Sequence, residues 1–206
     1  YKNIHKAKVN MKKIDLCIIT HFHADHYFDL PFLLLEQGMH NIREKEFVLI
    51  GPKGLGEKVD TLFNLAYPEL WEKVKENSKL QIIEVNSENH PIVRDGYFIR
   101  PYEVEHNGYD AYGYTIGNGI CTIGFTGDTL YCPNVENIIR NSQMAFVDMS
   151  FEKNSKAHMG VNNIKYLKQE FADCHKIVPT HMSPDAREAY NRVYGDAPED
   201  GAEYYI

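Results

Sequence analysis

The chain places the apolar run "IDLCII" directly before "THFHADHYFDL", which packs three histidines and two aspartates into eleven residues. The apolar run reads as a strand over 13–20, buried on both faces. Polar groups at the end of a buried strand are costly unless something satisfies them. In extended backbone His21 and His23 point to the same side, because side chains alternate with period two. Both imidazoles can therefore grip one ion. Asp25 and His26 follow where the chain must turn toward a helix, so they can face a neighbouring position. Mixed imidazole and carboxylate donors suit Zn²⁺, with Mn²⁺ or Fe²⁺ as the other divalent occupants.

Beyond this cluster, strands alternate with helices. Asp29 is placed to cap a helix carrying "LPFLLLEQ", with Pro31 in its first turn and Gly38 at its end. "EFVLIGP" (46–52) is the next strand, and "GLGEKVDTLFNLAY" has helical spacing at Val59, Leu62, Phe63 and Ala66. The intervening "GPKGLG" lacks the closing Gly-Lys-Ser/Thr of a nucleotide-binding loop and reads as a strand-to-helix turn at a pocket rim. From residue 80 the runs are short and β-rich: "LQIIEV", "YFIRPYEVEH", "AYGYTIG" and "ICTIGFTGD". Asn118-Gly119 is the strongest hairpin signal, expected as a type I′ turn. "NVENIIRN" and "VNNIKYLKQEF" read as helices, "MAFVDMSF" and "KIVPTH" as strands. With no internal repeat or low-complexity linker, residues 1–206 are expected to form one layered α/β domain.

Composition narrows the function classes. A net charge of −7 argues against wholesale binding of duplex nucleic acid, which needs clustered Lys and Arg. No apolar run reaches the ~18 residues of a membrane span, and the N-terminus carries no secretory pattern. Cys17, Cys121, Cys132 and Cys174 are widely separated and form no CxxC pair, so reduced thiols in a cytoplasmic protein are expected. His5, His40, His90 and His175 fit no pattern and are expected at the surface or in packing.

Three further donors each end a β-run: His106 after "YEVE", Asp128 after "TIGFTG" and His181 after "KIVPT". Open α/β sheets build their sites at such ends. With the first four they make seven groups, enough for two ions with three ligands each and one shared carboxylate. Two ions can share a hydroxide, lower its pKa toward neutrality and aim it at an electrophile.

"THFHADH", "EHNGYDAYGYTI", "FTGDT" and "VPTHMS", in that order, resemble the metallo-β-lactamase superfamily in its ribonuclease Z-like, phosphodiesterase-like branch. The resemblance runs from about 13 to 182. It implies an α/β sandwich of two mixed β-sheets flanked by helices, and a dinuclear hydrolase using a metal-bridging hydroxide. Carried over by motif, His21, His23 and His106 would hold one ion; Asp25, His26 and His181 would hold the other, with Asp128 bridging. Aspartate rather than cysteine at 128 departs from true β-lactamases and is similar to the phosphodiesterase-like members. Histidine at 23, where oxygen-reducing diiron members carry HxExD, favours zinc. Asp148 and His158 stand where ribonuclease Z-like enzymes carry an acidic residue and an assisting histidine. With Asp25 they are the candidate catalytic residues. His158 can donate a proton to the leaving oxygen or hold a phosphate oxygen, with Asp148 orienting it.

Only 22 positions separate His106 from Asp128, no room for the arm with which ribonuclease Z proper grips tRNA. A small nucleotide phosphodiester is therefore expected in preference to tRNA. The alternative on the same scaffold is a lactonase or other carboxylic-ester or thioester hydrolase. A metal-free binding module is disfavoured, because degenerate relatives lose ligands and this chain keeps all seven. Family members carry several strands before HxHxDH, which here begins at residue 21. The resemblance thus implies that part of the N-terminal half is missing from the chain; family members often form homodimers, but the sequence itself fixes no oligomeric state.

Overall fold

The stretch Val48–Pro52 is buried at every position, which only the middle of a covered sheet allows. The computed structural model describes residues 1–40, 43–86, 91–172 and 176–206; His90, Cys174 and His175 lie outside them. The chain divides into two units, Tyr1–Val85 and Asn86–Ile206.

The first unit is a three-stranded parallel sheet in the order β1 (Leu16–Ile18), β2 (Val48–Pro52), β3 (Gln81–Val85). Parallel neighbours need crossover connections, and helices supply them. Between β1 and β2 lie α2 (Ala24–Tyr27), α3 (Leu30–Leu35) and a π-helical turn at Glu36–His40; α1 (Lys2–Lys6) precedes β1. Between β2 and β3 lie α4 (Leu55–Ala66) and α5 (Trp71–Ser78). The core joins Leu34, Phe47, Leu49, Leu55, Val59, Phe63, Trp71 and Val74.

Several expectations change here. The strand expected over 13–20 is only three residues long and half-buried, because it pairs with β2 alone among the described strands. On α4, Leu55, Val59 and Phe63 face the core while Ala66 is exposed. Asp29 occupies the N-cap position of α3 without a side-chain cap bond. Gly38 does not end the helix. It lies inside the π-helical turn, where an added Cβ would stand 2.6 Å from the Val74 carbonyl oxygen, so it permits close packing against α5.

The second unit is a six-stranded sheet in chain order: β4 (Ile92–Arg94), β5 (Tyr97–His106), β6 (Tyr109–Gly117), β7 (Thr122–Phe125), β8 (Met144–Asp148) and β9 (Lys176–Thr180). β4 to β7 pair antiparallel through hairpins, and β7, β8 and β9 pair parallel. Helices α6 (Pro133–Arg140) and α7 (Val161–Glu170) make those parallel crossovers, and α8 (Pro184–Tyr194) follows β9. Only this sheet is mixed; the first is wholly parallel, where two mixed sheets were expected. Ile138 of α6 packs against both β6 and β7. A Cβ at Gly113 would lie 2.4 Å from its Cδ1, and one at Gly124 2.7 Å from its Cγ2.

The hairpin at Asn118-Gly119 exists, but only Gly119 takes positive φ, so the turn is not type I′. The Asn118 carboxamide oxygen instead accepts from the Ile120 and Cys121 amides at 3.0 Å each. The two-residue turns with positive φ at both centres are Asp95-Gly96 and Asn107-Gly108, closing β4–β5 and β5–β6. Cys17, Cys121 and Cys132 are free thiols. Burial pushes the Cys17 thiol up to about 11, so it behaves as a small hydrophobe.

Candidate metal centre

In the first unit the chain leaves β1 with the Ile19 amide still bonded to Ile50. It passes through His21 and turns into α2, with His23 at the N-cap position. The His21 ring lies 4.7 Å from that of His23 and 4.1 Å from that of His26, centroid to centroid. Asp25 Oδ2 is 3.4 Å from His26 Nε2. The HxHxDH motif thus gathers three imidazoles and one carboxylate at one strand end. The "GPKGLG" turn serves another purpose. The amides of Gly54 and Gly56 donate to the Glu84 carboxylate, which is held below the usual carboxylate range chiefly by those bonds. This anion position at the start of α4 is filled from β3.

In the second unit β5, β7, β8 and β9 run the same way, and each delivers a candidate at its carboxyl end. His106 closes β5 against the Asn107-Gly108 turn, Asp128 follows β7, Asp148 ends β8 and His181 follows β9. Asp128, Asp148, His158 and His181 each present a donor atom, all within 4.8 Å of one another. Asp128 Oδ2 and His181 Nε2 are 3.6 Å apart. His181 has φ +59°, a left-handed backbone rare for a residue with a Cβ. Strain of that kind gathers at functional sites.

Hydrogen bonds set the tautomers. His106 Nδ1 lies 2.9 Å from the Ala157 carbonyl oxygen, which can only accept, so Nδ1 carries the proton and Nε2 the lone pair. Ser150 Oγ donates its proton to Asp148 Oδ1 at 2.5 Å and lies 2.9 Å from His158 Nδ1 and 2.7 Å from His181 Nδ1. With its proton given to Asp148, Ser150 Oγ accepts from His181 Nδ1, and the single Nδ1 proton of His158 is shared between Ser150 Oγ and Asp148 Oδ2. His158 Nδ1 also meets Asp148 Oδ2 at 3.0 Å, and the Thr129 amide donates to the same oxygen at 3.1 Å. Asp148 is thereby an anchor, its oxygens engaged by a hydroxyl, an amide and an imidazole. The His158 and His181 rings are stacked, with centroids 5.6 Å apart.

This donor set fits a divalent ion. Asp128 and the Nε2 atoms of His106 and His181 are acceptors in or beside a buried setting, and their Nδ1 atoms are held by a carbonyl and a hydroxyl. That is how ligating histidines are oriented in metal sites. Asp148 and His158, ten positions apart in sequence, do meet. Ser150 and the Ala157 carbonyl were not singled out from the sequence. The only available signal for Ser150 was its place two residues after Asp148, on the same side of an extended chain. No helix among the described residues is long and apolar enough to cross a membrane.

Carboxylate and imidazole donors at the carboxyl ends of strands flanked by helices define a metal-binding α/β class. The chain belongs to the beta-lactamase superfamily, whose domain model matches residues 2–189. Its curated relatives set it in the ribonuclease Z-like branch. The ribonuclease Z of Agathobacter rectalis is 40% identical over 111 residues, 54% of this chain and 34% of that protein. The chain thus spans about a third of the length of such relatives. Among solved structures, the short form of human tRNase Z superposes with a TM-score of 0.69 at 16% identity, covering 88% of this chain and 77% of that one. A diphosphatase of the PhnP family superposes with 0.68 at 21% identity, covering 98% and 76%. These likenesses show the metallo-β-lactamase fold.

Proposed function

We propose that the chain is a dinuclear metal-dependent hydrolase of phosphodiesters, with a small nucleotide substrate favoured over tRNA. The observation that carries this reading is the Ser150 network, which holds His181 and His158 beside Asp128 on one buried carboxylate. His21, His23, Asp25, His26, His106, Asp128 and His181 are the ligands of this proposal, with zinc the ion their donor chemistry suits best. When bound, the ions supply Lewis-acid stabilisation of charge on the substrate oxygens and a water acidified toward neutral pH.

The protein's own groups do the rest. Asp148 fixes the His158 ring through Nδ1, so His158 Nε2 is the atom that holds a proton for the departing oxygen or steadies a phosphate oxygen. Ser150 keeps the His181 ring from rotating. The three proteins named above, a ribonuclease Z, a tRNase Z and a diphosphatase, act on phosphorus esters or anhydrides by their names, which supports phosphorus over carbon as the electrophile. The two-residue β5–β6 turn and the short β6–β7 loop leave no inserted arm between His106 and Asp128, which supports a small substrate.

The test is a paired assay of metal-quantified protein on bis(p-nitrophenyl) phosphate, a cyclic nucleotide panel, a tRNA precursor and a lactone panel. The expected result is two zinc equivalents per chain and turnover of the small phosphodiesters. Turnover of lactones alone would put carbon esters in their place, and a protein that takes up no divalent metal would refute the reading entirely.

A further inference from the structure

A cavity of about 740 Å³ in the second unit is lined by Ser150, His158 and His181 and runs on to Arg187 of α8 and the segment 198–204. Its size suits a ligand of nucleotide dimensions. Arg187 is half-buried on its wall and, among the described residues, its guanidinium has no ion-pair partner. By contrast Arg140 pairs with Glu136 at 3.0 Å and Arg192 with Glu152 at 2.6 Å. A partly desolvated guanidinium facing a cavity favours an oxyanion it can grip through two parallel N–H bonds.

The rest of the lining narrows the ligand. Glu199 and Asp200 also border the cavity, so a compact polyanion would be repelled, whereas sugar hydroxyls could donate to them. Aromatic surface is present too. Phe151, 44% exposed, sets its ring 5.5 Å from His158, and Tyr204 packs edge-on to Phe146 at 5.7 Å. Such faces accept a nucleobase without regard to its hydrogen-bonding edge.

We infer that this cavity is a nucleoside monophosphate subsite in which Arg187 seats the phosphate. The inference rests on the phosphodiesterase reading above. Hydrolysis adds a water oxygen to phosphorus, breaks one P–O ester bond and passes a proton to the departing alkoxide. One fragment therefore keeps a phosphate monoester, and the cavity beside His158 and His181 retains that fragment. Arg187 is a specificity-determining residue that acts on the substrate's phosphate rather than on the bond broken.

Calorimetric titration of the full chain, stripped with chelator, with AMP, adenosine and inorganic pyrophosphate tests this directly. AMP should bind, and Arg187→Met should weaken it at least tenfold while leaving adenosine unchanged. Arg187→Lys, which keeps the charge and loses the fork, should fall between, and it carries the test if the methionine variant fails to fold. AMP affinity indifferent to both substitutions, or pyrophosphate bound more tightly than AMP, would overturn the subsite. Because metal and turnover are absent from this measurement, the two readings fail separately. Phosphodiester hydrolysis with AMP binding indifferent to Arg187 removes the subsite alone; Arg187-dependent AMP binding without hydrolysis supports the subsite and removes the phosphodiesterase.

Discussion

A single hydroxyl organises the centre in the second unit. Ser150 is buried, gives its proton to Asp148, accepts from His181 Nδ1 and shares the His158 Nδ1 proton with that same carboxylate. In Ser150→Ala both rings lose an acceptor and Asp148 loses a donor. Removing a group that orients a metal ligand typically costs about 10–100-fold in metal affinity or activity. Competition with a chromophoric chelator should show a loss of that size, with stability lower by about 1–3 kcal/mol in urea for the polar groups left unpaired. Unchanged metal affinity would mean that Ser150 holds the loop and not the ligands. His181 stood out as a histidine directly after a β-run, and His158 was singled out only through the family resemblance. Ser150 was not, since serine beside a strand end is common and only a fold shows which side chains converge on it.

At the scale of elements, turn chemistry shows how near a local rule comes to the answer. Asn-Gly occurs at both 107–108 and 118–119, yet only the first adopts positive φ at both residues. There, strand register pairs His106 directly with Tyr109 and demands a two-residue loop; at the second, pairing stops at Gly117 and Thr122 and leaves four residues to span. Loop length selects the turn, and register sets loop length. The start of α4 depends in the same way on a distant residue. Glu84 caps it by accepting from Gly54 and Gly56, and its carboxyl titrates below the usual range for that reason. A group whose folded value is depressed stabilises fully above its unfolded value and loses that contribution as pH falls through the folded one. Glu84→Gln should therefore lower stability at neutral pH by about 1 kcal/mol, the typical worth of a helix cap. The difference from wild type should shrink as acidification takes the Glu84 carboxyl through its depressed folded range. Paired urea melts at pH 7 and pH 3 measure it, and an equal gap at both would rule out the charged cap.

For the whole molecule, the gathered donors predict that stability follows metal supply. An ion that binds only the folded chain adds about 2.7 kcal/mol at a hundredfold excess over its Kd. For a chain of this length each kcal/mol is worth about 2–4 °C, so zinc should raise the melting temperature by several degrees over chelator-treated protein. Asp128→Asn should remove most of that rise; a melting curve indifferent to zinc in the wild type would count against the site. The residues by themselves determined the donor inventory and the strand ends that carry it. HxHxDH, Asp128 and His181 are chemically conspicuous, and the apolar runs before them can only be strands. Tertiary structure alone decided which polar groups meet. The Ser150 network exists because β8 is in register with both β7 and β9, and Glu84 reaches α4 because β3 lies beside β2. Such partnerships join residues from distant parts of the chain, and no local pattern of side chains encodes them. "THFHADH" declared its chemistry on sight; the hydroxyl that holds His181 in place became visible only once three parallel strands stood side by side.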